Sequence, residues 1–507
     1  MKKLMIPIIS ALCLSSTYAQ DITDALRYSQ DEIKGTARFR ALGGAFGALG
    51  GDISAVSVNP AGSAVFSSSH ISMSLSNKHV KNETQYYNDF SGNSFSNIDL
   101  GQSGAAFVFN NRNQNSKWNK FTIGASYEQI QDYDNDWYAY GVNPNNSIDR
   151  YFLEYANGLR LDEISALPGE TYSQAYSEIG SLFGYGNQQA FLGYESYILE
   201  PDDFNDDNTI YTSNISGGNY NQNYNYTSSG YNGKFTMNAA AEYNNRLYIG
   251  LNLNSHFVNY SSYTYLSETN NNQGSNVSQV NFGNSLYTIG SGFSFQLGTI
   301  IKVTHGLRAG FTYNSPTWMN ISDETTQYIR TVRDDNGSNV SQVIDPLIVN
   351  IYPTYRLQTP GKITGSLAYV FGNYGLISFD YSLKDYGNAK FKPKSDTYFS
   401  EQNSIINTNL KAASVYRVGA EIKLNRLSLR GGYRFEESPY KNEITVGDLN
   451  SWSTGLGYNF NNVVKLDLSF DQSKRESNPQ LYTIGLVDRA NLDTTISNFT
   501  MTVVFNL

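Results

Sequence analysis

The sequence predicts an all-β fold, a transmembrane barrel of about fourteen antiparallel strands with a small N-terminal helical plug in its lumen. Three observations predict it. From Ser69 onward the chain alternates apolar and polar residues. Short turns alternate with long connections. The composition holds 40 Tyr and 43 Gly but one Cys and 12 Pro, with 14% aromatic residues, the balance expected where aromatic girdles mark two membrane interfaces.

The alternation is clearest in three runs. Val464, Leu466, Leu468 and Phe470 interleave with Lys465, Asp467, Ser469 and Asp471. Leu247, Ile249, Leu251 and Leu253 interleave with Tyr248, Gly250, Asn252 and Asn254. Tyr416, Val418, Ala420, Ile422 and Leu424 interleave with Arg417, Gly419, Glu421 and Lys423. A period of two puts each set on one face. In a soluble sandwich the apolar face turns inward; in a barrel it meets lipid and the polar face lines the lumen. Length separates the two. Many runs reach about nine to eleven residues, the span of a tilted membrane strand, whereas soluble strands centre on about five or six.

The expected strands lie near 70–79, 103–111, 120–131, 234–244, 247–260, 285–301, 307–314, 361–371, 375–385, 414–424, 427–436, 451–460, 463–471 and 494–507. Asn244-Asn245-Arg246, Val303 to Gly306, Gly372 to Tyr374, Asn425-Arg426 and Asn461-Asn462 are tight turns. The connections 81–102, 132–233, 261–284, 315–360 and 472–493 are long, and the long side of such a barrel is extracellular. An even count closes without an edge. In the last strand Phe499, Met501, Val503, Phe505 and Leu507 share one face up to the terminus. This resembles the insertion signal of such barrels, except that Leu507 stands where an aromatic residue is usual.

The first residues read as a secretory leader over 1–19. Lys2 and Lys3 form its positive end, Leu4 to Leu14 its apolar core and Thr17-Tyr18-Ala19 its cleavage site. Cys13, the only cysteine, lies in that leader, so the mature chain is expected to lack thiols, disulfides and thiolate metal sites. Loss of the two lysines takes the formal charge from −9 to −11, which gives no support to nucleic-acid binding. Past the leader there is no apolar run of about 18 residues. No linker divides the chain, so 69–507 is expected to be one barrel and 20–68 its plug.

The plug expectation rests on Gly35 to Phe66, a run dense in Gly and Ala. Gly43, Gly47 and Gly51 recur every four residues, a spacing that lets a helix lie close to a neighbouring surface. Asp52 is a candidate N-cap for Ile53 to Val58. Asn59-Pro60-Ala61 then forces an extended or turn conformation. The run reads as short helical pieces joined by tight turns, small enough to sit inside a barrel; a Gly-rich surface loop is the alternative.

Within 132–233, Ile148, Tyr151, Phe152 and Tyr155 follow helical spacing, as do Tyr172, Tyr176, Ile179 and Phe183. These helices either form a lid or binding surface or only pack on each other. The heptad Gly-Ser-Asn-Val-Ser-Gln-Val occurs at 274–280 and again at 337–343. It reads as two hairpin arms pairing across the barrel mouth, or as chance similarity in Asn/Ser-rich sequence.

Catalytic and metal chemistry is thin. His70, His79, His256 and His305 have no metal-ligand spacing, and no H-E-x-x-H occurs. No G-x-S-x-G elbow sits between a strand and a helix. No cofactor, metal or catalytic set is expected. The inward charges Arg308, Arg417, Glu421, Arg430, Arg434, Glu436, Lys465 and Asp467 can pair across neighbouring strands and hold the plug.

A leader, a Gly/Ala-rich segment ending in Asn59-Pro60-Ala61 and then a barrel resembles the FadL family, also called TodX-like outer-membrane transporters of hydrophobic compounds. Tyr313-Asn314-Ser315-Pro316-Thr317-Trp318 after the seventh strand and Leu357-Gln358-Thr359-Pro360-Gly361-Lys362 before the eighth extend the resemblance over the mature chain. The resemblance implies an outer-membrane location and passive, energy-independent uptake of a fatty acid, aromatic hydrocarbon or similar solute. It further implies gating by the plug, a side exit at a kink in the third strand and release into outer-membrane lipid. A monomer is expected. Asn59, Pro60 and Ala61 map onto the family's plug motif. Gly124 in the third strand either permits the kink or is a small lumen residue. Tyr151, Phe152, Tyr155, Phe183, Phe191, Trp318 and Met319 are candidates for ligand capture. The alternatives are a general polar porin, a structural or adhesive surface barrel, and an outer-membrane lipid hydrolase.

Overall fold

Strand alternation sets inside and outside. The computed structural model describes residues 20–507 apart from 114 and 462; the expected leader over 1–19 with Cys13, and Asn462 of the expected Asn461-Asn462 turn, lie outside these. Fourteen strands form the barrel. They are β1 His70–Tyr86, β2 Asp89–Asn110, β3 Trp118–Asp132, β4 Tyr220–Tyr243, β5 Leu247–Thr269, β6 Val277–Lys302 and β7 Leu307–Asn314. They continue as β8 Lys362–Val370, β9 Gly375–Asp385, β10 Ala412–Leu424, β11 Leu427–Glu436, β12 Val446–Asn459, β13 Val464–Ser477 and β14 Asn491–Asn506. Each pairs antiparallel with the next, and β14 returns to β1 from His70↔Asn506 to Gln85↔Asn491. Closure removes the sheet edges, as a strand in lipid requires.

The apolar faces point outward. Leu251, Leu253, Val418 and Ile422 are exposed, whereas Asn252, Asn254, Arg417 and Glu421 are buried. A soluble sandwich would bury the first set; a wall standing in lipid buries the second. Phe499, Met501 and Phe505 of β14 face outward in the same way. Among the described residues no helix is long and apolar enough to cross a membrane.

Several expected loops are strand. β1 and β2 run on to a turn at Tyr87-Asn88, with Tyr86 paired to Asp89, and β4, β5 and β6 reach 24, 23 and 26 residues. The expected connections 81–102 and 261–284 are therefore largely wall, whereas 472–493 is strand only at its two ends. Above the apolar band the outward face turns polar, with Lys81 and Glu83 on β1 and Asn259 on β5 exposed. Hydrophobic alternation stops there while backbone pairing continues. The two Gly-Ser-Asn-Val-Ser-Gln-Val copies do not pair with each other. They flank one strand, Trp318–Asp335: Val277 and Val340 both lie opposite Arg333, and past a register shift at Val332/Arg333 Val280 lies opposite Thr331 and Val343 opposite Arg330, so the heptads diverge in facing only at their ends.

Proline interrupts two neighbouring stretches of the wall at one level. After β7 the chain passes Ser315-Pro316-Thr317 and resumes against β6 as Trp318–Asp335. Tyr355–Gln358 precedes β8 across Thr359-Pro360-Gly361. The two breaks hold each other: Thr359 N donates to Thr317 O at 3.0 Å and Thr317 N to Thr359 Oγ1 at 3.0 Å. Pro lacks the N–H a ladder needs, so side-chain and offset backbone bonds replace it.

The remaining elements sit within and above the barrel. The N-terminal segment carries α1 Ile22–Arg27, α2 Ala37–Ala41, α3 Ile53–Val58 and a 3-10 turn Pro60–Val65. The long connection after β3 folds as α4 Asp149–Ala156, α5 Tyr172–Leu182 and α6 Tyr185–Glu195, and α7 Thr397–Asn409 crosses the mouth between β9 and β10.

Candidate functional site: luminal segment, mouth cavity and side seam

The N-terminal segment lies inside the lumen because its bulk is small and its polar groups meet the wall. Asp52 caps α3 through Ser54 N at 2.9 Å. Asn59 caps the 3-10 turn through Ala61 N at 3.1 Å, with Pro60 at its first position. The Asn59 amide also donates to Gly47 O at 2.7 Å and to Thr299 O of β6 at 2.9 Å. One side chain thus ties the Asn-Pro-Ala motif to the glycine run and to the wall. Gly43 and Gly51 have φ of +61° and +68°. Gly43 follows the end of α2 and Gly51 precedes the Asp52 cap of α3, so the glycines do not line one helix face as their spacing predicts, because left-handed backbone cannot continue a helix. Gly47 packs close, its N–H donating to Asp380 Oδ2 at 2.9 Å.

Ion pairs fix this segment. Arg40 forks onto Asp471 at 2.7 and 3.0 Å. Arg38 reaches Glu421 at 2.9 Å, and Arg430 joins Glu421 at 2.7 Å and Asp467 at 2.6 Å. Arg434 pairs with Glu436 and Lys465 with Asp467, while Arg308 donates to Leu49 O at 2.9 Å. Several of the expected inward charges therefore pair across strands or grip the segment. Arg417 instead lines a small inner pocket of about 130 Å³ above it, with Lys234, Lys362, Lys384, Glu128 and Met319. Trp318, next to Met319, points outward, because consecutive strand residues face opposite sides.

A larger cavity of about 1150 Å³ opens at the mouth on the side of the long connections. Tyr151, Tyr155 and Phe183 line it with Tyr185, Tyr224, Tyr398 and Tyr482. Phe152 and Phe191 do not: both are fully buried among the loop helices, Phe152 with its ring 5.2 Å from Phe282 and Phe191 6.0 Å from Tyr176. Tyr185, Tyr398 and Tyr482 escaped sequence reasoning, since single aromatics in polar loops carry no periodic signal. Glu268, in the extension of β5 beyond the apolar band, anchors the loop domain. It accepts from Ile148 N at 3.0 Å, Gln222 Nε2 at 2.7 Å and Ser147 Oγ. Burial pushes its carboxyl up to about 7 and also raises neighbouring Asp149.

The wall has a seam between β2 and β3. Their ladder runs from Asn110↔Lys120 up to Gln102↔Glu128 and stops. Above that, β2 pairs with β1, and β3, followed by the strand Asn135–Asn143, pairs with β4. Side chains bridge the gap: Asn93 Nδ2 to Asp136 Oδ2 at 2.8 Å, Asn97 Nδ2 to Asp134 Oδ2 at 2.5 Å and Tyr138 OH to Gly92 O at 3.3 Å. The N-terminal segment stands behind it. Glu32 N donates to Ile130 O at 3.2 Å, and Lys34 lies 3.6 Å from Asp132 and 3.8 Å from Asp99. Gly124 faces the lumen within the regular ladder, opposite Ala106 and Asn238; the upper register shift of β3 falls at Gln129/Gln131.

Comparison with known proteins agrees with this architecture. The family model described as outer membrane protein transport protein (OMPP1/FadL/TodX) matches residues 209–495, and the model of an uncharacterised protein family matches 5–103. No curated protein matches the sequence. Among solved structures, a Pseudomonas aeruginosa FadL homologue superposes with TM-score 0.53 at 11% identity, covering 94% of this chain and 99% of its own. The P. putida toluene transporter TodX superposes with TM-score 0.51 at 12% identity over 94% and 99%. At such identities the structures speak for the fold, and the family match over more than half the chain speaks for kinship: the chain belongs to the outer membrane protein transport protein (OMPP1/FadL/TodX) family and is an outer-membrane β-barrel.

Proposed function

We propose that the protein takes up hydrophobic or amphipathic solutes, such as long-chain fatty acids, aromatic hydrocarbons or related compounds, by passive transfer across the outer membrane. The observation that carries this reading is a tyrosine-lined cavity at the mouth above a lumen occupied by the N-terminal segment. The segment acts as a plug, and a solute held in the mouth descends when the plug yields its contacts to the wall. Release is sideways, through the β2–β3 seam above Gln102 and Glu128, where among the described residues side-chain hydrogen bonds bridge the gap in place of the ladder. A greasy solute gains little from a wet pore, and sideways release keeps its apolar surface out of water. Ile98 and Leu100 beside the seam face outward and are exposed, which suits exit into lipid. Membership of a family that includes a toluene transporter supports the solute class.

The test pairs two measurements. Cells bearing the protein are expected to accumulate a hydrophobic tracer faster than cells without it, while the protein in planar bilayers shows no steady open conductance. A steady ion-conducting pore without tracer uptake would favour a general polar porin.

A further inference from the structure

The outer wall is not evenly filled. Across β3 to β7 its lipid-facing side carries a hollow of about 690 Å³ with an almost wholly apolar lining. Register sets Phe121, Ala241, Ile249, Thr299 and Phe311 in one row over these five strands. Phe121 and Phe311 stand exposed at the two ends of that row. Ala239 and Ala241 lie low between them, because a methyl fills little of the space that leucine or phenylalanine takes elsewhere on this face.

Cations stand at the turn end of the hollow. Arg246 directly precedes β5 and lies three residues, about 10 Å of strand, from Ile249. Lys117 directly precedes β3, and its carbonyl accepts from Asn244 N at 2.6 Å, joining its turn to that of Arg246. Both residues are exposed. Lys120 and Lys302 pair instead with the buried Glu242, at 3.3 and 3.9 Å, and no carboxylate pairs with Lys117 or Arg246 among the described residues. The bias runs round the rim. The six short turns, 111–117, 244–246, 303–306, 371–374, 425–426 and 460–463, hold Arg112, Lys117, Arg246 and Arg426 but no Asp or Glu, in a chain of formal charge −9. Between these cations and the hollow, the rings of Trp118 and Tyr243 meet at 5.1 Å, the aromatic level of a membrane interface.

We propose that this hollow binds a bilayer phospholipid with an anionic head, its phosphate at Lys117 and Arg246 and an acyl chain over Ala239 and Ala241. The site is independent of the transport reading. Depth and charge both select this occupant. The polar layer of one leaflet is about 5–7 Å deep, so a single lipid spans the step from the two cations past Trp118 and Tyr243 to the hollow. Each cation at a membrane surface favours an anionic head about fivefold. A second copy of the barrel standing alongside would set its own cationic rim against this one.

Native mass spectrometry of the full chain, released from nanodiscs of equimolar dioleoyl-phosphatidylglycerol and dioleoyl-phosphatidylcholine, tests this. Retained phosphatidylglycerol is expected at least about tenfold above phosphatidylcholine. Lys117→Gln/Arg246→Gln is expected to bring the ratio to about one, while Arg426→Gln, in the β10–β11 turn, leaves it unchanged. Ala241→Leu, which fills the hollow, is expected to lower retention of both lipids about fivefold. Heat-dependent mobility on detergent gels checks that each barrel is folded. Equal retention of the two lipids overturns the proposal. So does a loss in Arg426→Gln that matches the double variant, or a dimer that retains no lipid.

Discussion

Asn59 lies directly over Gly298 of β6: a Cβ on that glycine would come within 2.0 Å of Asn59 Oδ1. The fit recurs on the next strand, where a Cβ on Gly310 would fall 2.3 Å from Gly47 O. The wall is bare where the luminal segment touches it. Gly310→Ala meets backbone that cannot rotate away, so it should cost about 1–3 kcal/mol and open a leak. Ion conductance in planar bilayers and thermal unfolding in detergent check this. Gly365→Ala, with nothing within 4 Å, should change neither.

Asn59→Ala removes the bonds to Gly47 O, Thr299 O and Ala61 N. Buried partners left unpaired cost about 1–3 kcal/mol. Limited proteolysis should cut residues 20–68 faster in the variant, at unchanged abundance of the barrel.

Arg40 and Asp471 form a pair in which both residues are over nine-tenths buried. Arg40→Leu strands a buried carboxylate and should lower stability by about 3–5 kcal/mol. Adding Asp471→Leu removes the orphaned charge and should restore much of that loss. Equal melting temperatures for the single and double variants would contradict the pairing.

The loop anchor should weaken as pH rises. Glu268 titrates near about 7 in the folded anchor against 4.5 when exposed, and Asp149 is also raised. Folded chains thus bind the proton more tightly than unfolded ones. The stabilisation is fully present below 4.5 and is lost as pH climbs through about 7, at up to about 1.4 kcal/mol per pH unit within that window. Hydrogen exchange over residues 147–156 should be slower at pH 5 than at pH 8 after correction for intrinsic rates, and Glu268→Gln should flatten the difference.

The membrane wall was legible because lipid imposes a period of two: Leu251 and Val418 outward, Asn252 and Arg417 inward. Above the band, water wets the outer face, so Asn259 and Lys81 hide strands that the backbone still pairs. The helices around Tyr151 and Tyr176 were legible from spacing. α6 and α7 were not, because Tyr185–Glu195 and Thr397–Asn409 mix polar and apolar residues without a clean stripe. Trp318 and Met319 could have been separated beforehand, since neighbours on one strand cannot both face the lumen. The seam was beyond sequence reasoning. It depends on where the β2–β3 ladder ends, and Gly124, the residue type most permissive of a kink, sits in the regular part.

The proposed exit of solute through the seam between β2 and β3 is tested most directly by closing that seam. Asn97→Cys and Asp134→Cys place thiols where the two side chains now hydrogen-bond at 2.5 Å, in a chain whose only cysteine is Cys13. Uptake of a hydrophobic tracer should be measured in cells before and after bridging that pair with a short cleavable thiol cross-linker. Side exit predicts that uptake falls to background on bridging and returns on cleavage. Unchanged uptake through a fully bridged barrel would contradict it.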